Sequence, residues 1–169
     1  MAVVDGAAAG RRALVRGANL IQLRMPGRDV RLIEEEAARL LEMELPLVVS
    51  DRVDVAMAVG APGVNLPADS LPLAVVRSLL PSALVGRSTH SREAARAAEA
   101  EGADWVLFGP VFQSRSHLGQ EGQGLARLAE VCAAVKIPVI AIGGMDEERA
   151  LAARRAGARG FAAISLFQG

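Results

Sequence analysis

Short apolar runs and longer amphipathic stretches alternate along the whole chain. Ala2–Val4, Leu20–Leu23, Leu47–Val49, Gly63–Leu66, Leu84–Val85, Trp105–Phe108, Pro138–Ile142 and Gly160–Ile164 are short, mostly apolar and rich in Val and Ile. Each reads as a strand buried on both faces. Between them lie Ala-, Leu-, Glu- and Arg-rich segments at helical spacing, most clearly Val30–Met43, Arg92–Glu101 and Glu147–Ala156. Ser91 and Asp146 stand where an N-cap is needed, with Glu93, Glu147 and Glu148 in the following first turns. Gly102 and Gly157 follow two of the helices, where a left-handed residue ends the run.

Eight strands alternating with helices predict a parallel sheet, and eight such units close into a (β/α)8 TIM barrel occupying residues 1–169 as a single domain. An open doubly wound sheet is the rival, but no Gly-x-Gly-x-x-Gly opens the first helix. The chain is short for a barrel that typically takes about 250 residues. It stops just after strand eight, so the final helix is expected to be missing. The apolar flank this would expose around strands eight and one predicts a homodimer.

Composition narrows the function classes. Apolar residues make up 51% and charged residues 22%, as in an ordinary globular protein. Lys plus Arg and Asp plus Glu number 19 each, so no net field draws the chain toward nucleic acid or a membrane surface. Trp105 and four Phe are the only aromatics, too few for the stacking platforms of a single-strand binder. Cys132 is the sole cysteine, which excludes an internal disulfide and a Cys-based metal site. Its apolar neighbours suit a small core side chain rather than a nucleophile. No apolar run reaches the ~18 residues of a membrane span, and the N-terminus does not read as a signal peptide, so a cytoplasmic protein is expected.

In such barrels the working residues sit at the C-terminal ends of the strands. Those positions hold Gln22, Arg24, Ser50, Asp51, Asn65, Ser88, His90, Gly143, Gly144, Ile164 and Ser165. The glycine pair after strand seven and Ile164-Ser165 after strand eight occupy the usual phosphate grip of this fold, which predicts a small phosphate-bearing substrate. The long loop after strand six brings Ser114, Ser116 and His117 as phosphate or proton partners, and Glu121 near its end. His90 suits either acid–base work or a hydrogen bond to the next loop. Asp51 and Asp69 suit either a shared Mg²⁺ or, for Asp51, a cap on the helix beginning at Arg52.

Five segments taken in order resemble the thiamine phosphate synthase/TenI superfamily. They are Gln22-Leu-Arg24, Ser50-Asp-Arg-Val-Asp54, Gly86-Arg-Ser-Thr-His-Ser91, Leu107-Phe-Gly-Pro-Val-Phe112 and Ile137-Pro-Val-Ile-Ala-Ile-Gly-Gly-Met145. The resemblance implies the same barrel, dimers, and one of two activities. The synthase joins a pyrimidine diphosphate to thiazole phosphate using Mg²⁺; TenI-type proteins bind thiazole phosphate, and some isomerise the thiazole by proton transfer. Against the synthase pattern, Pro26 and His117 replace two lysines, Ser50 replaces an Asn, and Pro67-Ala-Asp69-Ser70 replaces a Gly-Gln-Glu-Asp segment. Against the tautomerase pattern, Pro110 replaces its catalytic His.

These departures favour a TenI-like thiazole tautomerase that needs no cofactor, with His90, His117 and Glu121 as the acid–base groups. Gln22, Arg24, Ser50, Asn65, Ser88, Ser114, Ser116, Gly143, Gly144, Ile164 and Ser165 then bind substrate. The alternatives are a divergent thiamine phosphate synthase, with Mg²⁺ on Asp51 and Asp69, and a non-catalytic thiazole-phosphate-binding or regulatory protein.

Overall fold

A computed structural model describes residues 1–44, 46–113 and 121–168. Its strands are β1 (Ala2–Val4), β2 (Ile21–Leu23), β3 (Leu47–Ser50), β4 (Gly63–Leu66), β5 (Leu84–Thr89), β6 (Trp105–Phe108), β7 (Val139–Ile142) and β8 (Gly160–Ala162). All are parallel and pair in sequence order. The parallel bridge Ala2↔Ala163, with Val3 N–H donating to Ala163 O at 2.9 Å, brings the last strand back to the first. This is the expected barrel. Its helices are α1 (Ala7–Val15), α2 (Val30–Leu41), α3 (Val53–Val59), α4 (Leu73–Leu79), α5 (Arg92–Ala100), α6 (Gly124–Ala134), α7 (Glu147–Arg155) and α8 (Ser165–Gln168).

The caps follow the local chemistry. Ser91 Oγ accepts from Ala94 N–H at 3.0 Å, and Asp146 Oδ1 from Arg149 N–H at 2.8 Å. Each contributes about 1 kcal/mol by satisfying an otherwise orphaned helix donor. Asp29, which the sequence pattern did not single out, does the same for α2 through Arg31 N–H at 2.9 Å.

One expectation is corrected. A single turn, α8, stands where no final helix was expected. Phe167 is buried and stacks on Phe161 with ring centroids 6.2 Å apart, and the turn packs against α1. Four residues are too few to show a 3.6 period, so the aromatic pair rather than periodicity makes this element.

The strands' two faces serve different cores. Their outward side chains, such as Val4, Val49, Val64, Val106 and Phe108, join α1–α8 in the main core. Inside the barrel a second cluster forms from Met1, Val3, Leu107 and Ala162, with Leu20, Ile140, Ile142 and Ile164 packed on it. Trp105 closes the lower end: a Cβ on Gly86 would lie 2.0 Å from its indole, so only glycine fits beside the ring.

Candidate functional site

With side chains alternating along each strand, β2 to β5 direct Gln22, Ser50, Asn65 and Ser88 into the barrel beside that apolar cluster, Gln22 pairing with Val3 and Ser88 with Leu107. Gln22 and Asn65 are 3% and 1% exposed, so their amides must find partners inside the mouth. Asn65 Nδ2 donates to Ser88 Oγ at 3.0 Å. Among the described residues, Asn65 Oδ1 and Gln22 Oε1 have no protein hydrogen-bond partner, two buried acceptors at the mouth. The opposite half of the mouth, from β6 to β8, offers Leu107, Ile142 and Ile164. The mouth is thus polar on one side and apolar on the other, which suits a flat heteroaromatic body with hydrogen-bonding edges.

At the end of β7, Gly143 and Gly144 have φ of +104° and +60°. A Cβ on Gly143 would lie 2.7 Å from Pro110 Cα, and one on Gly144 would lie 2.4 Å from Gln113 O. The glycines therefore let the β6 loop pack against the strand end, a role the sequence pattern did not reveal. Phe112 N–H donates to Gly143 O at 3.2 Å, and Arg149 Nη1 donates to Gly144 O at 2.8 Å while its guanidinium lies 5.0 Å from the Phe112 ring centre. Among the described residues, the N–H groups of Gly143, Gly144, Ile164 and Ser165 donate to no backbone acceptor. Four amide donors at neighbouring strand ends are the means by which a backbone holds an anion.

His90 Nδ1 lies 2.6 Å from Gly109 O, a carbonyl that also accepts from Gln123 Nε2 at 3.2 Å. Since a carbonyl only accepts, Nδ1 is the donor in this bond. Of the two roles the sequence left open, the hydrogen bond to the next loop is realised. Glu121 is exposed beyond that loop. Ser114, Ser116 and His117 lie outside the described residues.

Asp51 follows β3 with φ +65°, a left-handed conformation that Asp tolerates better than most residues. Its carboxylate does not cap α3; it accepts from Ser70 Oγ at 2.6 Å. That bond ties the β3 end to the loop carrying Asp69, and both carboxyl-bearing residues are exposed at the mouth. Among the described residues no group of three or more His, Cys, Asp or Glu could hold a metal. Arg24 is exposed after β2 and, with Arg12, Arg28, Asp5 and Glu36, lines a groove of about 600 Å³.

The family model described as thiamine monophosphate synthase (TMP-TENI) matches residues 4–167. A thiamine-phosphate synthase from Anaeromyxobacter dehalogenans (strain 2CP-C) is 44% identical over 170 residues, spanning 98% of this chain and 77% of the relative. The chain belongs to the thiamine monophosphate synthase family.

A putative thiamine-phosphate synthase 2 of Aquifex aeolicus (strain VF5) is 39% identical over 160 residues, covering 92% of this chain and 86% of that protein. A thiamine phosphate pyrophosphorylase from Pyrococcus furiosus superposes with a TM-score of 0.88 at 35% identity, over 97% of this chain and 84% of that one. FabK from Thermotoga maritima, at 21% identity and a TM-score of 0.81, shares the fold alone. The superfamily resemblance read from the motifs is therefore correct, and this is a thiamine-biosynthesis family protein of the enzyme class. The preference for the TenI branch finds no support among these relatives, whose names are those of synthases. Among the described residues no helix is long and apolar enough to cross a membrane.

Proposed function

We propose that this protein is a thiamine-phosphate synthase, joining a pyrimidine diphosphate to thiazole phosphate and releasing pyrophosphate. The observation that carries the reading is the Ser70–Asp51 hydrogen bond, which sets the two carboxylate-bearing loops side by side at the mouth. Identities of 37–44% along at least 90% of the chain to thiamine-phosphate synthases support the same choice over an isomerase.

Mg²⁺, which the family implies, fits this pair: it is held by one or two carboxylates plus substrate phosphates, and needs no cage of three protein ligands. Asp51 and Asp69 would hold it, and it would supply positive charge to the departing diphosphate. Pro26 removes one lysine of the family pattern, while Arg12, Arg24 and Arg28 line a groove after β1 and β2 together with Asp5 and Glu36. The free acceptors Gln22 Oε1 and Asn65 Oδ1, with Ser50 and Ser88, orient the pyrimidine edge. The amides of Gly143, Gly144, Ile164 and Ser165 take the thiazole phosphate. His90 holds the β6 loop rather than carrying a proton.

Pyrophosphate release from the two substrates, followed with and without Mg²⁺, tests the reading. Wild type should turn over only with metal, and Asp51→Asn or Asp69→Asn should lower the rate about 100-fold or more, as expected when charge stabilisation of a leaving group is lost. Metal-independent conversion of the thiazole tautomer with no pyrophosphate release would return the isomerase. Tight thiazole phosphate binding without either reaction would return the non-catalytic binder.

A further inference from the structure

Arg87 lies on β5 between Gly86 and Ser88, so alternation turns it away from the barrel interior and toward the helices. It is only 7% exposed. Nη1 donates to Pro67 O at 2.8 Å and Nη2 to Leu71 O at 2.7 Å. None of the ion pairs among the described residues includes Arg87. A guanidinium withdrawn from water and paired only with two backbone carbonyls is an expensive arrangement for simple packing. Its planar fork holds two carbonyls at a fixed spacing, as the Arg77 fork does for Ala83 O and Gly102 O, but Arg77 also has the Asp104 carboxylate as a partner.

Those carbonyls bracket the segment Ala68-Asp69-Ser70. The segment has little else to hold it: Ala68 and Asp69 are exposed and Leu71 is 46% exposed. Its other anchors are the Ser70 N–H bond to Pro67 O at 3.3 Å and the Ser70 Oγ bond to Asp51. We infer that Arg87 is a positioning residue whose fork clamps both ends of the Pro67–Leu71 loop, so that Asp69 and the Ser70-bound Asp51 face one divalent cation together. This rests on the synthase reading. Arg87 touches neither substrate nor metal and acts through the loop alone.

The test compares wild type with Arg87→Met, which removes the fork, and Arg87→Lys, which keeps the charge without the two-point grip. Mn²⁺ binding is titrated by electron paramagnetic resonance in the presence of inorganic pyrophosphate. Amide hydrogen exchange is followed over residues 67–71, and thiazole phosphate affinity is measured separately. Arg87→Met should weaken Mn²⁺ binding about tenfold, the usual effect of losing a group that orients a metal ligand. Exchange over the loop should rise by a similar factor, while thiazole phosphate affinity stays within about twofold because its amides lie across the mouth. Arg87→Lys should fall between the two on both readouts.

A variant that melts earlier but keeps wild-type Mn²⁺ affinity and loop exchange would overturn the inference and leave Arg87 a packing residue. If Arg87→Met does not melt cooperatively, Arg87→Lys decides by the same readouts. If wild type binds no Mn²⁺ with pyrophosphate, the synthase reading and the metal half of this inference fall together. Loop exchange then judges the clamp by itself.

Discussion

Replacing Gly144 by alanine separates the cost of a left-handed backbone from the cost of crowding the β6 loop, provided Gly17→Ala is measured beside it. Gly17 has φ +80° and nothing within 4 Å of where its Cβ would stand. Alanine there meets the left-handed penalty alone, about 1 kcal/mol. For a chain of this size that lowers Tm by about 3 °C. Gly144 has φ +60°, and its new Cβ would stand 2.4 Å from Gln113 O and 3.0 Å from Phe112 Cβ. The first of these is backbone, so relief requires the loop to move.

That loop is fastened by Val111 N–H to Ile142 O at 2.8 Å and Phe112 N–H to Gly143 O at 3.2 Å. Releasing one such bond adds about 1 kcal/mol or more to the left-handed penalty. The sum, roughly 2–3 kcal/mol, lowers Tm by roughly 5–10 °C. Moving the strand end also displaces the Gly144 N–H, and losing one charge-assisted bond weakens thiazole phosphate binding by about tenfold or more. Thermal melting and titration calorimetry on both variants read these effects. Gly17→Ala should bind like wild type. If Gly144→Ala matched Gly17→Ala in Tm and bound the phosphate undiminished, both the crowding argument and the placement of the anion would be refuted.

His90→Ala removes one of two donors on Gly109 O and should lower stability by about 1 kcal/mol. Pyrophosphate release should fall less than about tenfold, well short of the loss that follows removal of a general base; a thousandfold loss would make His90 a proton carrier after all. Burial raises the Cys132 thiol above its ordinary range, so the thiolate is scarcer in the folded protein than in the unfolded chain. Labelling by a thiol reagent near pH 8 should therefore be slow when folded and should accelerate on denaturation or at higher pH. Rapid labelling of the native protein at neutral pH would contradict this.

The linear chain was enough to locate all eight strands and the helices α2, α5 and α7, because each signal is local. These strands are marked by short apolar runs, although β5 continues through Arg87 and Ser88 to Thr89, beyond the Leu84–Val85 pair that marked it, and Ser91 and Asp146 bond donors three residues away. The strand ends that carry Gln22, Ser50, Asn65 and Ser88 follow from the same reading, since a parallel barrel gathers them at one mouth. Only the closed structure decided what those residues touch. The Arg87 fork reaches loop carbonyls 16 and 20 residues away, and Asp51 meets a hydroxyl 19 residues on. The glycines after β7 are shaped by the β6 loop that packs on them. Spacing along the sequence carries no record of such contacts, because barrel closure and strand stagger set them. For the same reason a four-residue turn could finish the barrel: its stability comes from Phe167 meeting Phe161 in space, not from any helical pattern of its own.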